Sequence, residues 1–173
     1  MFLIITNISK HNNIKSLLVT AAACGCSSVF IVGQPQLDLR VDFLPYQEIK
    51  WLSSSWEEIQ KTSPSTMSIL RFEKWKIFLE YAKHWNIHIV GVEIHPDAIP
   101  MDDFVPTRSF VSTEYQDVAF LMGNEGTGIH PKHMASCHAF VKIPQYGNGT
   151  ASLNVNVAAS IVLHSYYSKL LDL

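Results

Sequence analysis

Short apolar, β-leaning runs alternate with helical patterns along most of this chain, and that alternation restricts the fold before anything else does. FLIIT (2–6) precedes NNIKSLLVTAAACG (12–25), a helical pattern stopped by Gly25, and SVFIVG (28–33) is a second buried strand ending in glycine. The stretch from 34 to 71 is irregular, with room for a short strand around EIKWL and Ser/Thr/Pro punctuation at 62–66. RFEKWKIFLEYAKHW (71–85) places Phe72, Trp75, Phe78, Leu79 and Ala82 on one face, the spacing of an amphipathic helix with a core-facing aromatic side. IHIVGVE (87–93), VAFLMG (118–123) and FVKI (140–143) are further strands, Pro131 opens a short helix, and Ser152 to about Leu171 reads as a terminal helix. Strand followed by helix, repeated, predicts an α/β domain with a mostly parallel sheet flanked by helices. No internal repeat, low-complexity tract or linker interrupts it, so residues 1–173 are expected to form a single domain.

Composition narrows the class of partner. With 47% hydrophobic and 16% charged residues, the chain has the make-up of a globular protein, and no apolar run approaches the roughly 20 residues of a membrane span. MFLIIT lacks the basic start and long apolar stretch of a secretory signal, and three cysteines in no disulfide spacing suit a reducing compartment. A cytoplasmic location is expected, with the nucleus and organelles left open. Cys24 and Cys26 flank Gly25 and read as packing at a helix end. Formal net charge is −2, and the 13 basic residues are scattered without a run or stripe, which argues against strong nucleic-acid binding by this chain alone.

In parallel sheets ligands bind beyond the carboxyl ends of the strands. Three loops occupy such places: SKHNNIK (9–15), GNEGTGI (123–129) and PQYGNGTASLN (144–154). The second packs three glycines and one carboxylate into six residues, either as a tight turn or as backbone against which a ligand can lie. It is neither a dinucleotide fingerprint nor a Walker A loop. His130 and His133, with His138 nearby, lack a cysteine or carboxylate to complete a tetrahedral set, so they read as capping or surface residues and no metal is expected.

Taken together, LMGNEGTGI and, fourteen residues on, IPQYGNGTASLNVNVAASIVL closely resemble the two C-terminal motifs of the TrmH/SpoU branch of the SPOUT RNA methyltransferases, GNE-G-x-G and IP-x-x-G-x-x-x-SLN-V-x-V-A. NNIKSLLVTAAACG occupies the place of the branch's first motif, so the resemblance covers essentially the whole chain. It implies an α/β sheet whose C-terminal segment threads a deep trefoil knot, with S-adenosyl-L-methionine held there largely by backbone groups, a homodimer, and methylation of a ribose 2′-hydroxyl of RNA. GNEGTGI looks closer to the tRNA guanosine-2′-O-methyltransferases than to the wobble-position enzymes, which favours tRNA over rRNA. By motif position, Gly123, Ile143 and Leu153 would contact the cofactor, while Glu125, Ser152 and Asn154 would line the reaction centre. Ser152 or Asn154 can also satisfy the first N–H groups of the terminal helix. Asn156 points elsewhere, with a subunit contact as one use for it.

The first motif departs from the branch. Its form is N-x-G-x-x-x-R, the arginine being assigned the removal of the hydroxyl proton; here Asn13 falls on the asparagine, Lys15 on the glycine and Val19 on the arginine. Lys15 and Val19 are four apart on one helical face, so a cation displaced by one turn is one explanation, lysine being a plausible base when desolvated. The other is a cofactor-binding relative that has lost turnover and serves as a partner or regulatory subunit. Arg40, after the second strand, is the next candidate for the missing charge. A non-enzymatic α/β nucleotide-binding module is the alternative from another class. On the methyltransferase reading, no appended RNA-binding domain of the kind some relatives carry is expected, so RNA recognition would rest on the dimer surface or an accessory protein.

Overall fold

The computed structural model describes residues 1–34, 37, 48–52, 68–106, 117–124, 126–147 and 152–172, with backbone alone at 11 and 48–52. Among these residues eight strands form one sheet: β1 (Phe2–Thr6), β2 (Ser28–Val32), β3 (Glu48–Leu52), β4 (Ser68–Phe72), β5 (His88–Val92), β6 (Ile99–Pro100), β7 (Val118–Met122) and β8 (Ala139–Lys142). Their order is β3-β4-β2-β1-β7-β5-β8-β6, and the pairings are parallel. The helices are α1 (His11–Ala23), α2 (Trp75–His84), α3 (Pro131–Met134) and α4 (Val155–Leu171). None of them is long and apolar enough to cross a membrane.

The central strands are five-residue runs buried at every position, as expected for a parallel sheet covered on both faces. Alternate residues feed two cores. Leu3, Ile5, Val29, Ile31 and Phe120 pack with Ile14, Leu17 and Ala21 of α1 and with Ala159, Val162 and Tyr166 of α4. Phe2, Ile4, Phe30 and Phe72 pack with Phe78, Tyr81 and Ala82 of α2. Aromatic rings dominate that second core, with centroids 5.2 Å apart for Phe2–Phe30, 5.5 Å for Phe30–Phe78 and 5.3 Å for Phe72–Phe78. Each such ring contributes roughly 1.5–3 kcal/mol through burial alone.

Two expectations are corrected here. The helix expected over 71–85 begins only at Trp75, because Ser68–Phe72 forms β4 and Phe72 lies in register with Val32. The terminal helix begins at Val155, not Ser152; Asn154 is its cap, its Oδ1 accepting the Asn156 N–H at 2.9 Å. Asn156 in turn acts within the chain, its Oδ1 accepting from Thr20 Oγ1 at 2.9 Å and so tying α4 to α1. Tyr166 is buried against Phe120, at 5.1 Å between centroids, whereas Tyr167 is 40% exposed. The Lys169 ammonium donates to the carbonyls of Met101, Asp102 and Phe104 at 2.6, 2.8 and 3.0 Å, fastening the turn after β6 to the end of α4.

α1 ends in a full Schellman motif: the Gly25 N–H donates to Ala22 O and the Cys26 N–H to Ala21 O, with Gly25 at φ +75°. A Cβ at Gly25 would also sit 3.0 Å from the Tyr167 ring. Gly25→Ala is therefore expected to destabilise the protein by about 1–2 kcal/mol from backbone strain, more if the ring cannot move. Urea denaturation checks this; an unchanged midpoint would contradict it.

Candidate functional site

The carboxyl ends of β5, β7 and β8 open into a cleft of about 560 Å³. Its wall on the β7 side is the glycine-rich loop, which closes on itself: Asn124 N donates to Gly128 O at 2.9 Å and Gly128 N to Asn124 O at 3.0 Å. The Asn124 side chain organises the turn. Its Oδ1 accepts the Gly126 and Thr127 N–H groups at 2.8 and 3.2 Å, and its Nδ2 donates to Asn7 O at 2.6 Å, joining the loop to the end of β1. A Cβ at Gly123 would lie 2.8 Å from the Gly128 carbonyl carbon, so only glycine fits where the strand enters the loop.

Glu93, the first residue past β5, reaches beneath the same loop. Its Oε2 accepts the Ile129 N–H and its Oε1 the Ile94 N–H, both at 3.0 Å. Gly128, at φ +67°, makes room: a Cβ there would run into the Glu93 carboxylate. Neither Glu93 nor Asn124 was singled out in the sequence. The available signal for Glu93 was a carboxylate directly after a buried strand, at the edge where such sheets bind ligands.

Of the residues expected at the site, Gly123, Ile143, Ser152 and Leu153 line the cleft. Asn154 is engaged as the α4 cap, and Glu125 lies outside the described residues. Asn13 and Lys15 sit on α1 and do not line the cleft; Lys15 is exposed, and Val19 is 48% exposed on the same helix. Arg40 and Arg108 lie outside the described residues, whereas Arg71 is buried in β4 and donates from Nη2 to Gln34 O at 3.0 Å. His130 caps α3, accepting the Lys132 N–H at 3.2 Å; His133 stacks on Trp75 at 4.1 Å, and His138 accepts the Ile89 N–H at 3.0 Å. Among the described residues no group of His, Cys, Asp and Glu could hold a metal ion. Burial pushes the Cys26 and Cys137 thiols up to about 12, so both stay protonated.

Two outcomes follow. Asn124→Ala removes both the turn's acceptor and its tie to Asn7; the Gly126 and Thr127 amides should lose exchange protection, with about 1–3 kcal/mol of stability lost. Burial, and secondarily His130, lower the His133 pKa below its ordinary 6.5. The folded state thus favours neutral His133, whose contribution is complete above 6.5 and fades as pH falls through the lowered value. Stability measured from pH 7.5 downward should drop less steeply in His133→Phe than in the wild type.

A family profile described as the SpoU rRNA Methylase family matches residues 1–164. Among curated relatives, the 23S rRNA (guanosine-2′-O-)-methyltransferase RlmB of Acinetobacter baylyi is 24% identical over 95% of this chain and 58% of its own length. The tRNA (guanosine(18)-2′-O)-methyltransferase of Borreliella burgdorferi is 22% identical over 96% of this chain and 66% of its own. The chain therefore spans between half and two-thirds of the length of these relatives. Among solved structures, the SpoU methyltransferase AviRb from Streptomyces viridochromogenes, determined in complex with the cofactor AdoMet, superposes with a TM-score of 0.72 at 20% identity, covering 99% of this chain and 61% of that one. With nearly its full length matched by the profile, this chain belongs to the SpoU rRNA Methylase family.

Proposed function

We propose that this chain is the S-adenosylmethionine-dependent domain of an enzyme that methylates a ribose 2′-hydroxyl of RNA, tRNA in preference to rRNA. The observation that carries this reading is the cleft at the sheet's carboxyl edge, bordered by both C-terminal motif loops at once. Its walls suit a sulfonium-bearing nucleoside: Val92, Ile94, Met122, Leu153 and Val155 supply apolar surface, while the glycine loop offers backbone groups. Bound there, S-adenosylmethionine would supply an already activated methyl group. What remains for the chain is to align the ribose oxygen and assist departure of its proton. A trefoil knot is part of this reading, since it would hold segment 143–155 beside the 123–129 loop. The preference for tRNA rests on GNEGTGI and on the tRNA-modifying Borreliella relative; the Acinetobacter relative acts on 23S rRNA.

A homodimer belongs to the same reading. Val19 on α1 and Val157 and Ile161 on α4 are 48, 46 and 41% exposed, apolar surface that a second copy would cover. At net charge −2, RNA affinity would come from the paired surface, from sequence outside this domain or from an accessory protein. Lys15 is the proposed stand-in for the branch's arginine. A cofactor-binding relative without turnover is the second reading, favoured by the position of Lys15 and Val19 outside the cleft.

Calorimetry should show one S-adenosylmethionine per chain, and labelled methyl should pass to tRNA, with nucleoside mapping placing it on a ribose. Absence of binding at millimolar ligand would defeat both readings, and binding without transfer would select the second. If Lys15 acts as the base, Lys15→Ala lowers transfer by about 10²–10⁴-fold at nearly unchanged cofactor affinity, and Val19→Arg restores or raises the rate. A Lys15→Ala variant with full rate would exclude that role. A dimeric mass at micromolar concentration, split by Ile161→Asp, is the expected state; a monomeric wild type would contradict it.

A further inference from the structure

We propose that Glu93 holds the nucleoside half of the cofactor, its carboxylate accepting hydrogen bonds from the vicinal ribose hydroxyls. This rests on the reading of the cleft as an S-adenosylmethionine site. Among the described residues lining the cleft, Glu93 is the only carboxylate. Both of its oxygens are anchored, Oε1 by the Ile94 N–H and Oε2 by the Ile129 N–H, so the group is fixed in orientation and not swinging in solvent. A carboxylate offers about four lone-pair sites, and these two bonds occupy one on each oxygen. Each oxygen therefore keeps an acceptor position, and the two lie side by side.

That arrangement selects a ligand chemistry. Two adjacent fixed acceptors match two adjacent donors, which a ribose 2′,3′-diol provides. An adenine edge places a ring acceptor beside its amine and would be half repelled. A phosphate set against this carboxylate would be repelled by its negative charge, so at this position a ribose diol is favoured, while Lys142 lines the same cleft. Glycine at 128 is part of the device: without a Cβ, the loop lets the carboxylate come up under its backbone, whereas a larger residue would push Glu93 away. The apolar neighbours Val92, Ile94 and Met122 raise the cost of a carboxylate that lacks donors, and the diol would complete its hydrogen bonding.

The test is calorimetric titration of the full chain with S-adenosylmethionine, S-adenosylhomocysteine and the 2′-deoxy and 3′-deoxy forms of the latter. Hydrogen bonds to a charged acceptor imply that each deoxy ligand binds the wild type about tenfold to a hundredfold more weakly than its parent. Glu93→Gln should weaken both parent ligands over the same range yet weaken the deoxy ligands little further. The wild-type arm needs no variant to fold, and exchange at the Ile129 amide reports whether the loop of Glu93→Gln is intact. Deoxy ligands that bind the wild type as tightly as their parents would overturn the proposal. So would a Glu93→Gln effect equal for parent and deoxy ligands, the mark of a loop staple alone. Loss of S-adenosylmethionine affinity with S-adenosylhomocysteine spared would also overturn it, because the carboxylate would then face the sulfonium charge. A wild type that binds neither parent ligand would instead defeat the cofactor reading itself, and this inference with it.

Discussion

Parallel pairing of β1, β7, β5 and β8 is the constraint on which the site depends. Because these strands run the same way, Thr6, Met122, Val92 and Lys142 all end at one edge of the sheet, and every loop that borders the cleft leaves from there. Register does the finer placing. Val92 lies opposite both Met122 and Val141, so Glu93 emerges between the glycine-rich loop on one side and the end of β8 on the other, with its own N–H donated to Val141 O at 3.0 Å. From β1 the chain moves outward through β2 to β4 and then crosses to the far side of β1, where β5 comes first and β7 later takes the place between β5 and β1. A crevice is expected at such a reversal.

Around that edge, order in the loops comes from side chains that each satisfy several backbone groups. Asn124 holds its own turn and the end of β1, Glu93 joins β5 to the loop after β7, and Lys169 gathers three carbonyls beside α4. The loops carry little secondary structure of their own, so their backbone groups would otherwise depend on water. Where the described loops meet those needs with fixed side chains, less backbone remains to be ordered on binding.

The outer surface of α1 and α4 has a different character. Asn156 and Thr20 pair with each other inside the helix contact, while Val19, Val157 and Ile161 face outward. Val19 on α1 thus adds apolar surface to that of Val157 and Ile161 on α4.

Much of this was legible in the residues themselves. Five-residue apolar runs ending in glycine or a polar residue, alternating with helical patterns, are enough to demand a parallel sheet, because such runs must be covered on both faces. The glycine-rich loop and the SLN segment were recognisable together, and their placement at one edge follows from strand direction. Where local pattern misled, the cause was ambiguity of period: Phe72 fits the spacing of the helix behind it, and only its pairing beside Val32 makes it strand. The start of α4 was misjudged because Ser152 and Asn154 are both good caps, and the choice between them depends on how the chain leaves the cleft. Glu93 shows the larger limit. Its partner amide at Ile129 lies 36 residues away, and no local pattern joins the two. Apolar periodicity is a short-range property carried by the chain itself, so the sequence determined the class of fold and the loops that bear its motifs. Which carboxylate lies beneath which backbone N–H is decided only when β5 and β7 pair in register, and that belongs to the tertiary structure alone.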